Sequence, residues 1–170
     1  MSGIIARRPR STYTAAPEGL HAAVCVDVQD LGLIQSAWGQ KHKVRIVWQL
    51  DAVDESRGRR FDVARVYTLS LHERAALRKD LESWRGRKFT ELELDGFDLE
   101  KLIGVNAQVA VTSDLGDDGT VYANVSTVVP PVKGAPKLAP LDYIRAKDRQ
   151  AQAAGNGRGV PVTELDAVPF

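Results

Sequence analysis

Basic and aromatic residues lie close together in one stretch of the chain, between residues 38 and 67. Binding of single-stranded nucleic acid requires cations that contact phosphates and aromatic rings on which bases stack, each stacked base contributing roughly 1–3 kcal/mol. The combination therefore predicts a nucleic-acid-binding surface. Its candidate residues are the cations Lys41, Lys43, Arg45, Arg59, Arg60 and Arg65 and the aromatic residues Trp38, Phe61 and Tyr67.

The phase of each aromatic residue in the alternating pattern indicates its role. Trp38 lies in a glycine-bounded loop without an apolar pattern, so we expect it to stack on a base. Trp48 shares its phase with the aliphatic residues of its strand and is expected in the core. Phe61 and Tyr67 share a phase with Arg65. This phase is either an exposed binding face or the core face with Arg65 at its edge, and we adopt the former interpretation.

The C-terminal sequence Glu164-Leu165-Asp166-Ala167-Val168-Pro169-Phe170 has features of a peptide that docks on other proteins. The terminal phenylalanine offers a ring for an apolar pocket and a carboxylate for a cation. The acids attract a basic rim, and proline reduces the entropy lost on docking. We expect a partner-binding tip composed of Glu164, Asp166, Val168, Pro169 and Phe170.

Signals of enzyme chemistry are weak. His21, His42 and His72 are scattered without metal-ligand spacing, and Cys25 alternates with small residues inside a strand pattern. Asp117-Asp118-Gly119 is best explained as a hairpin turn. We therefore expect no catalytic residues, no metal and no cofactor.

The elements that carry these residues alternate in the order β-β-β-α-β-β. Ser70 and Glu73 match a capping box, and Leu77, Leu81 and Trp84 follow at helical spacing before Gly86. This order is typical of the OB-fold, a five-stranded Greek-key barrel, here with a helix between strands 3 and 4. A five-stranded sheet of another topology is the alternative. The strand patterns cover residues 20–28, 44–50, 59–68, 105–111 and 121–129.

Composition divides the chain into three parts. Residues 1–16 form a basic arm, residues 17–131 the OB-fold domain, and residues 132–170 a disordered tail in which 141–153 could form a transient helix anchored by Tyr143 and Ile144. The domain has 14 basic and 18 acidic residues, so nucleic-acid binding would depend on a local basic patch. A single cysteine and the lack of a long apolar run favour a reduced compartment and no membrane.

Two stretches resemble single-stranded-DNA-binding proteins. The tip is similar to the C-terminal peptide of the bacterial family, although it has only two acids where that family has a denser cluster. The body resembles a phage-encoded OB-fold member. The stretches that carry this second resemblance are Pro17–Ala22, Asp27–Gly32, Tyr67–His72 and Leu81–Arg87.

These resemblances imply a phage protein in the bacterial cytoplasm that coats single-stranded DNA without strong sequence preference. They also imply that its tip recruits replication, recombination or repair proteins, and a homo-oligomer is compatible with them. The main alternative is an OB-fold replisome adaptor or accessory protein that binds protein or RNA. Two further alternatives are an enzyme whose active site is not recognisable in the sequence and a virion structural protein.

Overall fold

The computed structural model describes Ala6 and residues 14–155, and the chain in this part is mainly β. The predicted number and chain order of the strands are confirmed. The strands are β1 Gly19–Ser36, β2 Gly39–Asp54, β3 Arg59–Thr68, β4 Asn106–Leu115 and β5 Val121–Val129.

The strands form one antiparallel open sheet in the order β3-β2-β1-β4-β5. The central strand, β1, pairs with β2 along most of its length and with β4 through its first residues. Its register shifts between Cys25 and Asp27 and again between Asp30 and Gly32. Such bulges increase the local twist and bend a strand. Beyond the second bulge, β1 and β2 continue as a two-stranded hairpin arm.

The sequence predicts a capped helix and a short helical turn at Leu99–Ile103 between strands 3 and 4, and a transient helix over residues 141–153. Within residues 14–155, three helical segments lie between β3 and β4, and a fourth follows β5. They are α1 Ala76–Arg85, α2 Glu91–Leu94, a 3₁₀ helix Leu99–Leu102 and α3 Ala146–Gly155.

The predicted capping box lies at the wrong place in the chain. The Ser70 hydroxyl accepts a hydrogen bond from the backbone of His72, and α1 begins only at Ala76. A capping box of the same signature starts α2, where Thr90 and Glu93 each accept from the other's backbone N–H. The end of α1 lies as predicted at Gly86, whose φ of 72° is a conformation that glycine adopts readily.

One face of the sheet, the core face, packs against α1. Trp48 of β2 meets Trp84 of α1 edge to face, with ring centroids 5.8 Å apart. Phe61 and Tyr67 lie on this face with 6% and 2% of their surface exposed. The apolar stripe of α1 covers them, consisting of Leu77, Leu81 and Trp84.

The interpretation of the Phe61, Arg65 and Tyr67 phase as an exposed binding face is therefore wrong. Alternation separates two faces of a strand but does not state which of them the helix covers. Arg65 reaches the edge of the core face, where it pairs with Asp80 of α1 at 2.9 Å. The Tyr67 hydroxyl donates to the same carboxylate at 2.6 Å.

The opposite face, the outer face, has a smaller apolar cluster of Val24, Val26 and Val47. Leu138 and Tyr143 pack against this cluster. Both belong to the strap, which we define as residues 138–146. Composition predicts that these residues belong to a disordered tail, whereas Leu138 and Tyr143 pack against the sheet.

Candidate nucleic-acid interface

The pairing register places three of the predicted cations on the outer face. Because Val44 and Ile46 of β2 point into the core, the alternate residues Lys41, Lys43 and Arg45 share the opposite face. Lys41 and Arg45 are exposed, and the half-buried Lys43 donates to the Thr68 hydroxyl at 2.8 Å. We call these three residues the basic column.

Few acidic groups oppose the basic column. Within residues 14–155, no carboxylate lies within ion-pair distance of its three cations. Its neighbours across the strands are polar or aliphatic: Lys43 is paired with Thr68, and Arg45 with Gln29 and Val66. The column therefore presents positive charge beside side chains that can accept hydrogen bonds or contact a base.

Trp38 lies at the tip of the hairpin arm, with 90% of its surface exposed. The turn is held by Ser36, whose hydroxyl accepts from the Trp38 backbone at 3.2 Å and donates to the Gly39 carbonyl at 2.7 Å. Gly39 has a φ of 104°, a conformation that disfavours a side chain. The indole therefore projects into solvent from an ordered turn, and its stacking on a base stays a prediction.

A groove of about 310 Å³ lies between the outer face and the strap, next to the basic column. Three guanidinium groups line it, from Arg45, Arg59 and Arg149. Arg149 also lies over the Tyr143 ring, 5.8 Å from its centroid. Asp62 faces the groove beside Arg59, and burial raises the pKa of this carboxyl above its ordinary value. Asp142 is a second carboxylate in the lining. The groove thus combines three cations and one aromatic ring with two carboxylates.

The remaining predicted cation, Arg60, has a different task. Its guanidinium donates to the Gln49 side chain at 3.2 Å and to the Ala139 carbonyl at 2.8 Å. It therefore holds the strap against the sheet. Of the predicted cations, Lys41, Lys43, Arg45 and Arg59 lie at the outer face. Arg60 instead binds the strap through the Ala139 carbonyl.

Two side-chain amides hold the main chain of the strap. Asn106 accepts from the Leu138 N–H at 2.7 Å and donates to the Leu138 carbonyl at 2.9 Å. Gln49 makes the same pair of bonds to Leu141, at 2.9 and 2.7 Å. Each amide therefore satisfies a backbone donor and acceptor, as a neighbouring strand would.

Asp27 fixes the end of the strap, although only 1% of its surface is exposed. The carboxylate accepts from the Ala146 N–H, the Tyr143 hydroxyl, the Arg145 guanidinium and the Gln29 amide, at 2.8 to 3.1 Å. Burial alone would raise the pKa of Asp27, but these hydrogen bonds outweigh burial and hold it below its ordinary value. Burial and the nearby Asp27 charge raise the pKa of Tyr143 to about 12.

Arg145 connects Asp27 to the 3₁₀ helix. Besides its bond to Asp27, it donates to both oxygens of Glu100, at 2.8 and 2.9 Å. The hydrogen bonds to Glu100, together with the Asp27 charge, raise the pKa of Arg145 above the ordinary arginine value. Gln29, Arg145 and Arg149 were not predicted from the sequence. The partners of Arg145 lie 118 and 45 positions away along the chain, and Gln29 and Arg149 meet only when the strap crosses the outer face. The only signal was the pair of apolar residues Tyr143 and Ile144.

The predicted partner-binding tip, Glu164, Asp166, Val168, Pro169 and Phe170, lies outside the described residues. In the part of the chain that the structure covers, no group of three or more His, Cys, Asp or Glu side chains could hold a metal ion. Cys25 is buried, and burial raises the pKa of its thiol. No helix in the same part is long and apolar enough to cross a membrane.

The chain was compared with known proteins. No protein-family model matches it. No curated protein matches its sequence either.

Proposed function

We propose that this protein binds single-stranded DNA through the outer face of its sheet, without catalysing a reaction. The alignment of Lys41, Lys43 and Arg45 on one exposed face carries the proposal. Trp38, at the end of the same hairpin arm, supplies a stacking surface. A row of cations beside an exposed aromatic ring is what sequence-independent binding of single strands needs.

The sheet supports an OB-fold as the finer description. β1 pairs with both β2 and β4, and the sheet ends at β3 and β5. Arg65 of β3 donates to the Ser126 carbonyl of β5 at 3.4 Å, which brings the two ends of the sheet together. A partly open five-stranded barrel has this form, and OB-folds bind oligonucleotides on strands 2 and 3. The basic column lies on the second of the five strands.

A phage protein in the bacterial cytoplasm that coats exposed strands would fit this chemistry. Glu164, Asp166 and Phe170 would then recruit replication or recombination proteins. The resemblance of the body and tip to single-stranded-DNA-binding proteins supports this part of the proposal.

The test is titration of a fluorescently labelled oligonucleotide of about 30 nucleotides at low salt. We expect K43E/R45E to lower the affinity at least roughly tenfold, because two cations become anions beside the phosphates. The control K79E/K88E has the same change in net charge, at exposed residues of α1 and the loop after it. It should leave the affinity within about twofold of the wild-type value.

Salt dependence gives a second readout. Each neutralised phosphate of a single strand contributes about −0.7 to the slope of log affinity against log salt, so three cations predict a slope near −2. The slope should approach zero in the K43E/R45E variant. Equal affinity for double-stranded DNA of the same sequence, or equal losses in both variants, would exclude the proposal.

An adaptor that binds protein through this face is the second candidate. The observation in its favour is that the outer face already holds a peptide segment through the Asn106 and Gln49 amides. An adaptor would show weak DNA affinity that K43E/R45E barely changes. The same titration with RNA of matched sequence separates the RNA-binding form of this alternative.

A further inference from the structure

The groove between the outer face and the strap has more chemistry than the binding of phosphates requires. Its floor belongs to the outer face of the sheet, and its wall to the strap and the start of α3. We call it the strap groove. The lining residues that bear on a ligand are Gln29, Arg45, Asp62, Asp142, Tyr143 and Arg149.

Asp62, in the floor of the strap groove, has unused capacity to accept hydrogen bonds. A carboxylate can accept at about four lone-pair positions. Within the described residues, Asp62 accepts only a long bond of 3.4 Å from Arg59, and its buried Oδ1 has no partner. Asp27 on the same face accepts four bonds of 2.8 to 3.1 Å. Because 24% of the Asp62 side chain is exposed, a rotation of its carboxylate turns a free oxygen towards a ligand in the groove.

The charges of the strap groove are separated along β2. Asp62 is paired with Gln49, and the Gln49 amide holds Leu141, so that Asp142 follows at the same end. Arg45 lies at the other end. Because Arg45 and Gln49 are four residues apart on one strand, the two ends are separated by roughly 13 Å. The strap groove therefore has carboxylates at one end and a cation of the basic column at the other.

These two ends select a ligand that has both an anion and an N–H donor. The exposed Arg45 attracts a phosphate, whereas carboxylates repel a phosphate and accept from amino groups. A nucleotide with an amino-bearing base combines both groups, and a carboxylate is a usual acceptor for the amino group of cytosine. Thymine has carbonyl oxygens in place of the amino group, which the carboxylates would repel. A volume of about 310 Å³ suits one nucleotide, since ligand pockets begin at roughly 300 Å³.

Flat groups line the wall of the strap groove. The Arg149 guanidinium lies 5.8 Å from the centroid of the Tyr143 ring. The hydroxyl of that ring donates to Asp27 at 3.0 Å, which fixes its orientation. Unpaired bases stack on aromatic rings and on guanidinium planes. The wall thus favours a base over an aliphatic ligand of the same charge.

We propose that the strap groove binds one nucleotide of a bound strand, with the amino group of its base donating to Asp62 and its phosphate bound by Arg45. The protein then prefers cytosine to thymine at this one position and tolerates any base elsewhere. The inference rests on the proposed function, because Arg45 belongs to both the basic column and the strap groove.

The first experiment compares the affinities of labelled oligodeoxycytidine and oligodeoxythymidine of equal length at low salt. We expect the ratio of the two affinities to fall at least roughly fivefold from wild type to D62N, because the charged acceptor is lost and an asparagine amide pairs with either base. Intrinsic differences between the strands and the change in net charge cancel in this comparison. The control D95N removes a carboxylate from an exposed residue at the end of α2 and should leave the ratio unchanged.

The second experiment removes the rest of the strand. An excess of deoxycytidine monophosphate should shift the NMR signals of the Val47 amide, the Ile144 methyl groups and the Tyr143 ring, while Gly39 at the hairpin tip stays unchanged. Deoxythymidine monophosphate should give smaller shifts at the same concentration. In D62N the two mononucleotides should give similar shifts.

The possible failures are distinguishable. A D62N ratio equal to that of the wild type would overturn the inference and leave the proposed function intact, because both strands would still bind. A wild-type protein that binds neither strand would exclude both. If D62N does not fold, as chemical denaturation would show, the wild-type mononucleotide titration decides, and unchanged groove signals with deoxycytidine monophosphate would overturn the inference.

Discussion

The two faces of the sheet are covered in different ways. The core face is closed by α1 through apolar contacts, with Trp84 against Trp48 and the ring of Phe61 almost fully buried. The outer face is crossed by the strap, which is held mainly by side-chain hydrogen bonds from Asn106, Gln49 and Asp27. Apolar burial stabilises the whole fold, whereas a segment held by a few polar contacts can open locally.

The largest expected effect comes from the core face. F61A removes a ring that is 6% exposed, and we expect the free energy of unfolding to fall by about 3–5 kcal/mol. Chemical denaturation measures this change. Any loss of DNA affinity should follow the fraction of unfolded protein. A variant of normal stability with specifically weaker DNA binding would place Phe61 on the binding face instead.

The strands and their order along the chain could be predicted from the sequence, because alternation in Val44 to Leu50 or Val121 to Val129 directly reflects a half-buried strand. Their order within the sheet could not. For β3, the sequence could not predict which of the two strand faces α1 covers. Arg65 in the phase of Phe61 and Tyr67 suggested exposure, yet a guanidinium at the edge of the core face reaches Asp80 while the two rings stay buried.

The strap could not be predicted, because its contacts join distant residues. Gln49 binds Leu141, 92 positions away, and Asp27 binds Ala146, 119 positions away. Neither the Gln49 amide nor the Asp27 carboxylate differs in sequence from an ordinary solvated strand residue. The basic column was easier to predict, since three cations at alternate positions necessarily share one face of a strand.

A smaller effect is expected at the strap. D27N removes the charge that accepts from Arg145, Tyr143 and Ala146, and hydrogen bonds to a charged group contribute about 1.5–3 kcal/mol each. We expect the Leu138, Leu141 and Ala146 amides to exchange with solvent roughly 30-fold faster or more, while β1 stays protected. The control D30N makes the same change at an exposed residue three positions on.

The pH dependence of the strap follows from the same carboxylate. The folded-state pKa of Asp27 lies below its ordinary value, so its contribution is fully present above about pH 4 and is lost as pH falls through the lowered pKa. Protection of the Leu141 amide, corrected for intrinsic exchange, should fall in acid in the wild-type protein. In D27N this step should be absent, and a persisting step would assign the acid sensitivity to another group.

The smallest effect on stability is expected at the hairpin tip. W38A removes a ring that is 90% exposed, so the free energy of unfolding should change by less than about 0.5 kcal/mol. Affinity for single-stranded DNA should nevertheless fall by about 1–3 kcal/mol, or roughly 5- to 150-fold, because a stacking surface is lost. F61A and W38A thus remove one aromatic ring each with opposite consequences, the first for folding and the second for binding. Unchanged DNA affinity in W38A would exclude the indole from the interface and leave binding to the basic column alone.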